Sequence, residues 1–222
     1  MINLEQQNEL FKLIGESLKN KLECYVIGGS AMMYYGMKGS TKDIDLVFEH
    51  EKDRDGIVQV LKNLGYKDRG FKVVSVVYPK KKNTPILLER GDVRIDLFVN
   101  KIISTILSDT MKERIKSVYE YENFIIKVLS PEDLIITKCA TERPGDRIDA
   151  VEIMKRAKID WDIVIKESVF QAEATPHLFP VYLFDFLYEL KEDLKADIPK
   201  KVLDEIQKIS EDLLEKKLKH KI

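Results

Sequence analysis

Two aspartates one residue apart, Asp43 and Asp45, stand in the run DIDLVF, and a third, Asp96, stands in VRIDLFV. In a strand, residues i and i+2 point to the same face. Asp43 and Asp45 therefore project together, with Ile44 and Leu46 on the other side. Neighbouring carboxylates repel and cost stability unless water, a proton or a cation compensates them. A divalent ion is the economical compensation, and an oxygen-rich ligand set suits Mg²⁺ or its analogue Mn²⁺. If the Asp96 strand neighbours the Asp43 strand, three carboxylates converge. That arrangement can hold two ions about 3.5–4 Å apart for in-line displacement at phosphorus.

Upstream, the apolar run ECYVIG leads into Gly28, Gly29 and Ser30, with SAMMYYGM following. A helix start offers free backbone N–H groups and the positive end of a dipole, which favour phosphate. The glycines allow close approach of a ligand, and the Ser30 hydroxyl is a candidate donor. Taken alone, D-x-D is usually a solvated strand edge and Gly-Gly a tight turn. Their combination with a later strand aspartate points to a metal-dependent phosphate chemistry.

The elements that must position these groups follow from periodicity. Leu4, Phe11, Ile14, Leu18 and Leu22 recur at helical steps, so residues 4–22 predict an amphipathic helix. ECYVIG, DIDLVF, FKVVSVVYP, VRIDLFV and NFIIKVL predict strands, with PKKKNTP and ERGD as turn-rich breaks. KDRDGIVQVLKNLGY predicts a helix ending at Gly65. From SPEDLIITKCATE onward only helical patterns appear, broken near RPGD, KIDW and ATPH. The chain is expected to divide into an α/β catalytic domain over residues 1–129 and a helical domain over residues 130–222.

Composition narrows the classes. The 222 residues are 44% hydrophobic and 34% charged with a net charge of -1, so no global pull towards nucleic acid exists. Cys24 and Cys139 stand singly, in neither a metal-ligand spacing nor a disulfide framework. No apolar stretch approaches the roughly 20 residues that span a bilayer. The N-terminus lacks a signal-peptide core, and a cytoplasmic location is the expectation. No Rossmann or P-loop spacing occurs, and His50, His177 and His220 are unpaired in sequence. The run Lys80-Lys81-Lys82 reads as a solvated turn, with a grip on an RNA backbone as the alternative. The aromatic stretch HLFPVYLFDFLYEL reads as core of the helical domain.

The constellation Ile27, Gly28, Gly29, Ser30, Asp43, Asp45 and Asp96 resembles the nucleotidyltransferase superfamily of the DNA polymerase β type. It looks most like the small prokaryotic branch that includes AbiEii-like toxin nucleotidyltransferases, in which a residue of the Thr41 kind precedes the first metal aspartate. The segment SPEDLIITKCATERPGDRIDAVEIM is similar to that branch's continuation after the catalytic domain. The resemblance implies an α/β (α+β) fold, a mixed sheet with flanking helices and then a helical lobe. It implies transfer of a nucleoside monophosphate from an NTP to a hydroxyl on tRNA, a protein or a small molecule, releasing pyrophosphate. Asp43, Asp45 and Asp96 would then bind Mg²⁺ or Mn²⁺ and carry the catalysis. Gly28, Gly29, Ser30, Thr41, Lys42 and Lys138 would bind the nucleotide, with Lys138 reaching the triphosphate and Arg143 and Asp146 supporting the pocket; the residues alone leave Lys138 open as an exposed helix lysine. Two other expectations stand beside it. One is a non-catalytic nucleotide-sensing or partner-binding module. The other is the toxin half of a toxin–antitoxin pair, with an antitoxin partner. The last amphipathic helix leaves internal packing and a homodimer both open.

Overall fold

A computed structural model of the chain describes residues 1–69 and 84–219. The strand expected over residues 71–79 and the lysine run at 80–82 lie outside the described residues. The chain divides into two compact units, residues 1–102 with 107–130 and residues 103–106 with 131–222.

The first unit runs β1 (Ile2–Asn3), α1 (Leu4–Ser17), β2 (Leu22–Ile27), α2 (Gly28–Tyr34), β3 (Ser40–Thr41), β4 (Asp43–Phe48) and α3 (Glu51–Asn63). It continues with β5 (Lys67–Asp68), β6 (Ile86–Arg90), β7 (Val93–Val99) and β8 (Lys101–Ile102). The short β9 (Thr105–Ile106) belongs to the second unit, after which α4 (Asp109–Glu113), β10 (Ser117–Tyr121) and β11 (Phe124–Val128) complete the first.

The main sheet has the order β10-β11-β2-β4-β7-β6-β5. It is mixed: β11 runs parallel to β2 and β4 parallel to β7, while the other neighbours along this path are antiparallel. The centre is the most apolar part. Ile44, Leu46, Val47 and Phe48 of β4 are fully buried, as are Ile95 and Leu97 of β7. Helix α1 packs on β10 and β11 through Leu10, Phe11 and Ile14, and α3 covers β4 and β7. Phe11 sits edge-on to Phe124 at 5.5 Å between ring centroids.

Three boundaries differ from the sequence expectation. Helix α1 stops at Ser17, and Leu22 opens β2 instead of closing the helix. The ILLER segment forms β6, whose Glu89 and Arg90 pair with Arg94 and Val93. Ser117–Tyr121 forms β10, the edge partner of β11.

The second unit holds α5 (Pro131–Cys139), α6 (Pro144–Arg156), α7 (Trp161–Ala174), α8 (Phe179–Glu192) and α9 (Lys200–Lys219). Its core contains Leu134, Ile136, Ile153, Val164, Phe179, Leu183, Leu187 and Ile206, all fully buried. The aromatic stretch of α8 is thus core, with Tyr182 at its margin. The buried Gln171 of α7 lies along β9: its Oε1 accepts the Ile106 N–H at 2.9 Å and its Nε2 donates to the Ile106 carbonyl at 2.8 Å. One side-chain amide thus satisfies both backbone groups of Ile106, as a strand partner would.

Candidate active site

The first-unit site is built on three adjacent strands. Asp43 opens β4 and Asp45 follows it on the same face. Both are half-buried while the intervening Ile44 is fully buried. Across the parallel ladder Asp45 pairs with Asp96 of β7 and Asp43 pairs with Arg94. Neighbouring strands lie about 4.8 Å apart and paired residues share a face. The fold therefore gathers Asp43, Asp45 and Asp96 on one side of the sheet. Asp43 Oδ1 is buried and accepts no hydrogen bond, with Arg94 Nη1 3.8 Å away.

The glycine turn abuts the other flank. Strand β2 runs antiparallel to β4 with Ile27 opposite Asp45, and the chain passes straight from Ile27 into Gly28 and α2. Gly28 has φ +61°, and a Cβ there would fall 2.6 Å from Asp45 Oδ2. A Cβ on Gly29 would fall 2.7 Å from Thr41 Oγ1. A side chain at either position would drive into the site, so both residues act through the absence of one. The buried Thr41 donates from Oγ1 to the Asp43 carbonyl at 3.0 Å, which fixes the entry into β4. Lys42 is exposed, and the aliphatic stem of Lys38 flanks Gly29.

Ser30 departs from its expected role. It is fully buried, and its hydroxyl donates to Gln7 Oε1 on α1. The donors the turn can offer a ligand are thus the backbone N–H groups of the first helical turn, which have no intrahelical acceptor.

Among the described residues no group of three His, Cys, Asp or Glu side chains forms a ready-made metal cage. The donor set present is three carboxylates, among them Asp43 with a buried oxygen that accepts no hydrogen bond. This set fits Mg²⁺ or Mn²⁺, which take one or two carboxylates together with waters and substrate phosphates.

Lys138 lies in the second unit. It is 4% exposed, and its ammonium donates to Asp146 Oδ1 at 2.9 Å and to Asp149 Oδ2 at 2.7 Å. Thr141 donates its hydroxyl to Asp146 Oδ2, and Arg143 Nε lies 3.2 Å from the same oxygen. Burial pushes the Asp146 carboxyl up, but Lys138, Thr141 and Arg143 together outweigh it and hold the group below its ordinary value. The same unit has an open cleft of about 590 Å³ whose lining includes Arg147, His177, Tyr182, Asp185 and Glu189. Arg147 Nε is 3.1 Å from Glu189 Oε2, and its guanidinium lies 5.3 Å from the Phe186 ring centroid.

The sequence expectation left out Arg94 and Gln7. Arg94 carried a signal, since it stands two residues before Asp96 and must share its face. Gln7 carried none: a polar residue near the start of an amphipathic helix reads as exposed.

Comparison with curated proteins finds no match. Among solved structures, the chain is similar to ANT(2")-Ia in complex with adenylyl-2"-tobramycin, at 15% identity and a TM-score of 0.44, covering 82% of this chain and 98% of that one. It is also similar to an antigenic nucleotidyltransferase-like protein from Paracoccidioides brasiliensis, at 15% identity and a TM-score of 0.46, covering 91% and 98%. The family model described as "Nucleotidyltransferase of unknown function (DUF6036)" matches residues 3–178, a span that includes the glycine turn, Asp43, Asp45, Asp96 and helices α5 to α7. The chain belongs to this nucleotidyltransferase family and has its mixed α/β architecture.

Proposed function

We propose that the protein transfers a nucleoside monophosphate from an NTP to a hydroxyl acceptor and releases pyrophosphate. The observation that carries this reading is the pairing of Asp45 with Asp96 across adjacent strands, with Asp43 on the same face and Gly28 against Asp45. In the reaction, the acceptor oxygen forms a bond to the α-phosphorus and the bond to the bridging oxygen of the β-phosphate breaks.

Asp43 and Asp45 would hold Mg²⁺ or Mn²⁺ together with Asp96. When bound, these ions neutralise phosphate charge and acidify the acceptor hydroxyl. Asp96 would take the proton that the hydroxyl loses. The backbone N–H groups of the Gly28–Ser30 turn bind the β- and γ-phosphates, with Thr41 fixing the strand entry opposite them. Lys42, exposed beside Asp43, supplies a cation to the outer phosphates. The two carboxylate partners of Lys138 support a role in holding α6 to α5, in place of the triphosphate contact that the resemblance implies. Positioning and charge neutralisation carry most of the rate.

The acceptor class is tested by label transfer. The protein is incubated with each α-³²P-labelled NTP and Mg²⁺ or Mn²⁺, in separate reactions with total tRNA, lysate protein and a panel of small hydroxylated molecules. Asp43→Asn serves as the control. Label moving from one NTP to one acceptor, and absent with the variant, is the expected result. No label together with no Mg²⁺-dependent NTP binding by calorimetry would replace the enzyme with a non-catalytic module.

A further inference from the structure

Gln7 lies outside the glycine turn and both aspartate motifs, yet it touches the turn. It is fully buried on α1, its Oε1 accepts the Ser30 hydroxyl, and its Nε2 is buried with no hydrogen-bond partner among the described residues. A position selected for stability alone takes an apolar side chain, because a buried amide with an unfilled donor costs free energy. Departures of this kind concentrate where function constrains the fold.

The neighbouring contacts show what Gln7 belongs to. Asn8 Oδ1 accepts the Tyr34 hydroxyl at 2.9 Å and the Tyr121 hydroxyl at 2.7 Å. Helix α1 therefore grips α2 at both ends, through Gln7 at Ser30 and through Asn8 at Tyr34. The residues before α1 reach the aspartate side of the site. Ile2 pairs with Thr41 and Asn3 with Ser40, while Asn3 also caps α1 in a reciprocal box with Gln6. One short N-terminal segment thus braces the glycine turn and the residue that leads into Asp43.

We propose that Gln7 is a positioning residue for nucleotide binding, fixing the Gly28–Ser30 turn in register with Asp45 and Thr41. From the sheet, Asp45 and Thr41 leave no room for a side chain at Gly28 and Gly29. From the helix, Gln7 holds Ser30. With both sides held, the turn keeps one orientation and presents its backbone donors to a polyphosphate. With the helix side released, the turn keeps its sheet contacts but samples other orientations, and the phosphates lose pre-aligned donors. This proposal rests on the nucleotidyl-transfer reading above.

The test is calorimetric titration of wild type, Gln7→Leu, Ser30→Ala and the double variant with each Mg²⁺-NTP and the matching NMP, beside thermal melts. Gln7→Leu should weaken NTP binding about 3- to 10-fold, the worth of one hydrogen bond, while NMP binding is unchanged. The double variant should lose no more than the worse single variant, since both remove the same bond. It should melt at or above the wild-type temperature, because both partners are now apolar. Wild-type NTP affinity in Gln7→Leu, an equal loss for NTP and NMP, or losses that multiply would each overturn the proposal. If Gln7→Leu does not fold, Ser30→Ala removes the same bond by deleting one oxygen, and the NTP-to-NMP comparison decides. A wild type that binds no NTP overturns the transfer reading and this proposal together, and that result is seen before any variant is made.

Discussion

Two acidic clusters among the described residues are built differently. In the helical unit, Asp146 and Asp149 converge on Lys138, and Thr141 and Arg143 complete the shell around Asp146. In the sheet unit, Asp43, Asp45 and Asp96 share a face, and the half-exposed Arg94 stands 3.8 Å from Asp43. The first cluster carries its counter-charge within the fold. The second has an oxygen, Asp43 Oδ1, that is shielded from solvent without a hydrogen bond. Buried or crowded carboxylates need compensation from somewhere. The contrast separates an acid cluster neutralised within the fold from one that, on the nucleotidyl-transfer reading proposed above, would take a cation from outside.

Four perturbations would break or sharpen that contrast. The largest effect is expected from Asp43→Asn, which should lower label transfer by at least about a hundredfold. The same variant should abolish any rise in melting temperature that Mg²⁺ with NTP gives the wild type, while far-UV circular dichroism stays unchanged. Next, Lys138→Met strands two carboxylates in a low-dielectric setting. Urea unfolding should show a loss of about 3–5 kcal/mol, as for other broken buried pairs. Added Mg²⁺ should not restore it.

Gly28→Ala tests the close packing at the aspartate cluster of the sheet unit. The new methyl meets Asp45 Oδ2 at 2.6 Å on a backbone with φ +61°. A stability cost of about 1–3 kcal/mol is expected from strain at such a position. Transfer should fall further than the stability loss explains, when measured well below the melting temperature.

The smallest effect is the acid dependence of the helical unit. Burial raises the Asp146 carboxyl, but Lys138, Thr141 and Arg143 bring it below its ordinary value in the folded state. Its stabilisation is therefore complete above the unfolded carboxylate value of about 3.9 and fades as pH falls through the lower folded value. Urea midpoints measured between roughly pH 2 and 6 should decline more steeply for the wild type than for Lys138→Met in that acidic window. Parallel curves would remove Asp146 from the account.

The centre of the sheet was legible because its chemistry is local. DIDLVF and VRIDLFV alternate or run apolar over strand length, and the alternation alone put Asp43 and Asp45 on one face. The pairing of Asp45 with Asp96 needed the fold, because strand order is a property of long-range contacts. Strand β6 was hidden by its own end, since Glu89, Arg90, Gly91 and Asp92 read as a turn although the first two still pair in the ladder. Strand β10 was hidden because an edge strand needs little apolar content, and Val118 and Tyr119 remain exposed. From its place in the turn, Ser30 reads as a phosphate donor. The acceptor that takes its hydroxyl instead lies 23 positions earlier, beyond any local pattern. From the sequence, Lys138 on its helix is equally compatible with an exposed lysine and with the triphosphate contact that the resemblance implies. Its two aspartate partners stand 8 and 11 positions later on the following helix, α6, and only packing revealed them.

The hold of Gln171 on Ile106 has a consequence for the order of synthesis. The ribosome delivers Ile106 before the sheet unit is finished, and its side-chain partner follows 65 positions later. Until then both backbone groups of Ile106 must be satisfied by water. A fragment ending at Ser130 would contain the whole sheet yet leave that stretch permanently without its amide clasp. The two units are therefore not interchangeable cassettes that a single cut could separate. A swap of helical units between relatives would need to carry residues 103–106 along with everything after residue 130.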